Sequence, residues 1–114
     1  MSNTASTAPI HLSAALIVKN EAAKLEACLQ SIAGWVDEIV IVDSGSSDAT
    51  LEIAQKYGAK VYSHTDWQGF GMQRQRAQNH VQGAWVMWLD ADERVTPELK
   101  QSLQAALNQY RDQQ

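Results

Sequence analysis

Asp90, Asp92 and Glu93 stand together directly after an apolar run that closes at Leu89. Closely spaced carboxylates in such a place are hard oxygen donors of the kind that hold a divalent cation. On an extended segment Asp90 and Asp92 project to the same side. They could then share magnesium or manganese, with the oxygens of a diphosphate completing the shell. The competing reading is a solvated turn or a helix cap, and spacing by itself favours that reading. Polar clusters at the ends of two other apolar runs tip the balance toward the metal.

The first of those clusters is Lys19, Asn20 and Glu21, after the run that begins at Leu12; the second is Asp43 and Ser44, after Ile39 to Val42. Asp43 can accept from two donors at once, which suits the hydroxyls of a ribose or the edge of a base. Equally, Asp43, Ser44 and Ser46 could do no more than satisfy the amides of their own turn. Gly69 and Gly71, with Arg74 and Arg76 close behind, surround a helix start, where free amides attract phosphate. A two-glycine loop is common, and alone it reads as structural. His64 and His80 lack metal-ligand spacing to each other or to Cys28, and His11 falls in the opening segment, so zinc is not expected. Trp85 and Trp88 are expected in the core and Trp67 in a pocket wall. Cys28, the one cysteine, falls among Leu25, Leu29 and Ile32 and reads as inert packing.

These residues need a scaffold, and the hydrophobic pattern supplies one. Strands are expected over 12–18, 39–42, 60–63 and 84–89. Between them, Leu25, Cys28, Leu29 and Ile32 recur at helical spacing and stop near Gly34. Leu51, Ala54 and Tyr57 do so before Gly58, and a polar helix over about 72–82 buries Ala77 and Val81. Thr96 caps a last helix with Pro97 at its first position, and Leu99, Leu103, Ala106, Leu107 and Tyr110 line one side. The uniformly apolar second and fourth runs belong in a sheet covered on both faces. Alternating strands and helices predict an α/β fold, a Rossmann-like open, mostly parallel sheet with helices on both faces. If the strand order is the expected 3-2-1-4, the first and fourth strands are neighbours and the polar clusters converge on one crevice. Ligands bind such sheets beyond the carboxyl ends of the strands, where the order reverses, and all three polar clusters fall there.

Bulk properties narrow the function further. The 114 residues are 45% hydrophobic and 19% charged, as in a globular domain able to bury a core. A net charge of −4 offers no broad basic face, so no nucleic-acid partner is expected. Residues 1–11 read as a flexible tail without the features of a signal peptide, and 12–114 as one domain. No run reaches the ~20 apolar residues that span a bilayer, so membrane contact is expected to be peripheral.

The strings AALIVKNE at 14–21, WVDEIVIVDSGSSD at 35–48, GFGMQR at 69–74 and WVMWLDADERV at 85–95 resemble, in this order, the amino-terminal half of family-2 glycosyltransferases. Within that family they are most similar to bacterial lipopolysaccharide core beta-glucosyltransferases, over residues 12–103. The resemblance implies a GT-A fold that uses a nucleoside-diphosphate sugar, UDP-glucose, with inversion at the anomeric carbon. It implies a magnesium or manganese ion, a lipid-linked saccharide acceptor, and a place in the cytoplasm, peripheral to the inner face of the cell membrane. By motif position, Lys19, Asn20, Glu21, Asp43, Ser44, Arg74 and Asp90 would surround the nucleotide sugar, and Asp90 and Asp92 the metal. No catalytic base is identified; in the family it lies in a second half, expected beyond Gln114. Two positions depart from the family pattern: Ser44 stands where many relatives have a second acid, and Lys19 where many have an aromatic that helps hold uracil.

Three other readings share parts of the pattern. A phospho-receiver domain has similar alternation but needs an acidic pair after its first strand, where this chain has Lys19, Asn20 and Glu21. A phosphatase of the haloacid type uses two aspartates spaced like Asp90 and Asp92, but on its first strand. A nucleotide-binding module without activity shares every donor-site residue with the transferase.

Overall fold

The computed structural model describes residues 12–112. Four strands, β1 (Leu12–Val18), β2 (Glu38–Asp43), β3 (Lys60–Ser63) and β4 (Trp85–Leu89), form one parallel sheet. Its order is β3-β2-β1-β4, the 3-2-1-4 order expected above, so the reversal falls between β1 and β4. Helices α1 (Ala22–Ile32), α2 (Thr50–Lys56) and α3 (Phe70–His80) make the three crossovers, and α4 (Pro97–Asp112) follows β4. The expected tail over 1–11 lies outside the described residues, as does the side chain of Tyr110.

Alternation along β1 sends Ala14, Leu16 and Val18 to one face, where they meet Leu25, Cys28, Leu29 and Ile32 of α1, Ile39 and Ile41 of β2, and Ala54 of α2. Every residue of β2 is buried, which accounts for its unbroken run of β-branched side chains. The opposite face is covered by α3, which crosses β1 and β2. That helix starts at Phe70, two residues before the expected start, and ends at His80. It buries Gln73 and Ala77, while Val81 lies just past its end and is half-buried. A buried glutamine breaks the apolar pattern because its amide is fully employed, as described below.

β4 departs from expectation. Its residues are apolar, but it is an edge strand: Trp85 is 49% exposed and the other four residues are half-buried. Trp85 is therefore not core. α4 stands off the strand and leaves an apolar cleft of about 420 Å³ lined by Trp85, Met87, Leu99 and Leu103 among others. Thr96 accepts a hydrogen bond from the Leu99 amide at 3.2 Å, as its capping role requires.

At the amino end of the sheet, away from the polar clusters, Glu38 is a buried carboxylate. Ser13 Oγ and the Gln82 amide donate to it at 2.5 Å each, and Lys60 Nζ lies at 3.1 Å. Ser13 Oγ also accepts from the Gly83 amide at 2.9 Å, so the chain entering β4 passes close over β1. A β-carbon on Gly83 would lie 2.5 Å from Ser13 Oγ, 2.9 Å from Ser13 N and 3.0 Å from Trp85 O. Two of those neighbours are backbone and the third is held by Glu38, so none can yield freely. Gly83→Ala is expected to cost about 2 kcal/mol. The check is thermal denaturation; an unchanged melting temperature would show that the loop relaxes.

Candidate functional site

The loops after β1 and β2 are stitched to one another. Asn20 adopts a left-handed conformation with φ 54°, which turns the chain sharply after Lys19. Its amide donates to Ser46 Oγ at 2.9 Å, and its Oδ1 accepts from the Ser47 amide at 2.7 Å. The free amides at the start of α1 are met from the other loop: Glu21 N donates to Thr50 Oγ1 at 2.9 Å and Ala22 N to Asp48 Oδ2 at 3.2 Å. Asp48 is held in turn by the Thr50 hydroxyl, the first of the contacts that lower its pKa.

Asp43, 2% exposed, closes its own turn: Oδ2 accepts from the amides of Gly45 and Ser46 at 3.0 Å each, and Oδ1 from Ser46 Oγ. The turn-forming reading of this residue describes every hydrogen bond that its side chain makes among the described residues. A carboxylate oxygen has two lone pairs, so the carboxylate retains capacity for a further donor. Beside it, Ser44 extends the sheet through its amide to Val18 O at 2.9 Å and accepts from Gln73 Nε2 at 2.9 Å. Gln73, fully buried, also donates to His64 O at 3.0 Å and accepts from Arg76 at 2.7 Å. Arg76 then reaches the Asp66 carboxylate at 3.0 Å. Gln73 thus locks the start of α3 to the ends of β2 and β3. In the sequence a glutamine in a polar helix gives no sign of burial. Arg76, grouped with Arg74 by sequence, serves this scaffold.

Two pockets meet at the carboxyl end of β1. One, about 490 Å³, is lined by Lys19, Glu21, Ser44, Trp67 and Phe70 around Ile17 and Val18. Trp67 is a pocket wall, as its position in an irregular segment suggests. The other, about 330 Å³, is lined by Arg74, Trp88, Asp90 and Glu93, and shares Ile17 and Phe70 with the first. The Arg74 guanidinium lies 4.7 Å from the centre of the Trp88 ring. That contact gives Trp88 a place in the pocket wall, whereas the sequence pattern predicts it in the core. The register pairs Val18 with Asp43 and Leu16 with Leu89, so Asp43 and Asp90 flank the carboxyl end of β1 from either side. Two strand spacings separate them, about 10 Å.

The acidic segment is a turn and not an extended strand end. Glu93 N donates to Asp90 O at 2.9 Å, Glu93 Oε1 accepts from Asp90 N at 2.7 Å, and Ala91 is buried beneath. The alternation that would aim Asp90 and Asp92 the same way does not apply to a turn. Asp90 lines the second pocket, whereas Asp92 is exposed and lines neither pocket. Among the described residues no group of three or more histidine, cysteine or acidic side chains is gathered to hold a metal ion. The donor set nonetheless fits magnesium or manganese: both aspartates carry hard oxygens, and no described residue donates a hydrogen bond to either carboxylate. An ion held by one or two carboxylates takes its remaining ligands from water and phosphate. The turn also bears on Cys28, whose Sγ lies 3.7 Å from Asp90 O. Burial, then the charges of Glu93, Asp92 and Asp90, push this thiol up to about 11, which keeps it protonated and inert at neutral pH.

Farther out, fold geometry joins two histidines that sequence spacing left unrelated. His64 and His80 bring their Nε2 atoms to 3.5 Å, and the His80 ring stacks on Tyr62 at 3.6 Å between centroids. No helix among the described residues is long and apolar enough to cross a membrane.

Known proteins resemble this chain in sequence and in fold. An uncharacterized glycosyltransferase of Rickettsia bellii is 38% identical over 103 residues, covering 88% of this chain and 35% of the relative. A lipopolysaccharide core biosynthesis glycosyltransferase, LpsC of Rhizobium meliloti, is 38% identical over 96 residues, covering 81% of this chain and 35% of the relative. Among solved structures, glucosyl-3-phosphoglycerate synthase from Mycobacterium tuberculosis, in complex with Mn²⁺, UDP and glucosyl-3-phosphoglycerate, superposes with a TM-score of 0.63. It is 26% identical and the alignment covers 81% of this chain and 38% of that one. The chain spans about a third of the length of the curated relatives it matches. The family model for glycosyl transferase family 2 matches residues 13–114. With the 3-2-1-4 sheet and the paired pockets at its reversal point, that match makes this chain a member of glycosyl transferase family 2, with the GT-A fold.

Proposed function

We propose that the chain forms the donor site of a glycosyltransferase that takes glucose from UDP-glucose, with inversion, and passes it to a lipid-linked saccharide of the lipopolysaccharide core. One observation carries the reading: the two pockets at the end of β1 share a wall, and Arg74 and Asp90 face the second of them. Lys19, Glu21 and Ser44 in the first pocket suit the polar edge and ribose of a nucleoside, and Asn20 and Asp43 hold the loops that shape it. In the second, the Arg74 cation suits a diphosphate, whose charge grows as the bond to the sugar breaks. Asp90 and Asp92 would hold magnesium or manganese, which when bound supplies further charge neutralisation at the same oxygens. The Mycobacterium tuberculosis enzyme, crystallised with Mn²⁺ and UDP, supports this choice of ligand, and the Rhizobium meliloti relative supports the lipopolysaccharide core. Such a protein would work in the cytoplasm, touching the inner face of the membrane peripherally.

Calorimetric titration with UDP and UDP-glucose, with and without Mn²⁺, tests this. Mn²⁺ is expected to tighten UDP binding about 10-fold, and Asp92→Ala to remove that gain, the loss typical when a carboxylate supporting a metal is deleted. Equal metal dependence in wild type and Asp92→Ala would take Asp92 out of the site. No binding of either nucleotide by the wild type would end the donor-site reading.

A further inference from the structure

The wall shared by the two pockets is made by Ile17 and the aromatic ring of Phe70. Phe70 is 70% exposed and Trp67, 49% exposed, meets it edge-on, with centroids 4.8 Å apart and planes at 89°. Both rings line the first pocket and Phe70 lines the second as well. Exposed rings are ordinarily mobile and uninformative, but the backbone beneath this pair is held. Phe70 is the first residue of α3, three before the fully buried Gln73, which bonds Ser44 and His64. The segment carrying Trp67 is tied down one residue away, where the Arg76 guanidinium grips both the carboxylate and the carbonyl of Asp66. Phe70 also stands four residues before Arg74, which places the two side chains on one side of α3. β1 and the turn after it contribute Ile17, Val18, Lys19 and Glu21 to the first pocket, none with a ring.

Taking the donor-site reading as its basis, we infer that the base of the nucleotide stacks on Phe70, with Trp67 as an edge-on brace. The base then lies over the start of α3, and the diphosphate continues past the ring toward Arg74. A ring that separates the two pockets serves this arrangement: one face takes the base, and its rim guides the first phosphate. Stacking tolerates any planar base, so discrimination among bases falls to the polar groups of Lys19, Glu21 and Ser44 around its edge.

The test is calorimetry on the 114-residue chain, with UDP and with inorganic pyrophosphate, each in the presence of Mn²⁺. Phe70→Ala is expected to weaken UDP about 10-fold, in the range of base–aromatic stacking, and to leave pyrophosphate unchanged. Phe70→Trp, which restores a ring, is expected to recover UDP binding. Because Phe70 is exposed, circular dichroism of both variants should match the wild type. UDP binding by Phe70→Ala equal to the wild type would overturn the inference, as would equal weakening of UDP and pyrophosphate, which would put the ring against phosphate. Failure of the wild type to bind UDP would overturn the donor-site reading, and the stacking role with it.

Discussion

Arg74→Ala is expected to weaken binding of UDP about 30-fold, or about 2 kcal/mol, the value of a charge-assisted hydrogen bond to a phosphate. Arg74 is exposed and its guanidinium lies over Trp88, so no buried partner is orphaned by its removal and the melting temperature should stay as it is. Lysine at the same position should recover part of the affinity, because it keeps the charge and loses the planar fork that stacks on the indole. Salt supplies a second readout. The wild type should lose affinity for UDP as ionic strength rises, and Arg74→Ala should lose less. Isothermal titration at low and high salt measures both. Affinity unchanged in Arg74→Ala would show that the second pocket does not receive the diphosphate.

Glu38→Ala is expected to have the largest effect on stability, about 3 kcal/mol. Its carboxylate is buried, and removing it leaves the Ser13 hydroxyl and the Gln82 amide without their acceptor. That is a large share of the 5–15 kcal/mol by which small domains are stable. The acid dependence follows. Burial acts to raise the pKa of Glu38, but the Ser13 hydroxyl, the Gln82 amide and the Lys60 ammonium together outweigh it and hold the group below its ordinary value. A carboxylate lowered in the folded state binds its proton more weakly there than in the unfolded chain. Its contribution is therefore complete above the unfolded value, near 4.5, and is lost as pH falls through the folded one. Urea denaturation of wild type and Glu38→Gln at pH 7 and pH 3 should show a gap that narrows in acid. A gap of constant size would mean that the charge of Glu38 contributes nothing. Glu38 and Gly83 act through the same Ser13 hydroxyl, so the costs of Glu38→Ala and Gly83→Ala should not add.

Both residues lie at the amino end of the sheet, opposite the pockets, and neither stands out in the sequence. Glu38 reads as a charged residue at the start of a strand, and Gly83 as an ordinary loop glycine. Their importance comes from the closeness of β1, β2 and the chain entering β4, which no local pattern records. Gln73 makes the same point near the site: helical periodicity marks apolar burial, and a buried amide with three partners is invisible to it.

What the sequence determined by itself is the order of the elements, the parallel sheet and the end of it where ligands belong. Uniform apolar runs and helical spacing follow directly from burial on two faces or on one, and a parallel sheet with crossover helices leaves few arrangements. It also placed Lys19, Glu21, Ser44, Arg74 and Asp90 where the pockets are lined. Tertiary structure alone decided how those positions are used. Asp43 uses its carboxylate to close its own turn, Asn20 joins two loops, and the acidic segment folds into a turn that leaves Asp92 outside the pockets. The exposure of β4 could not be foreseen either, since an apolar strand looks the same whether the face beside it is covered or open. A side chain's type is local, but its hydrogen-bond partners come from segments tens of residues away, and only the packed chain determines which of them arrive.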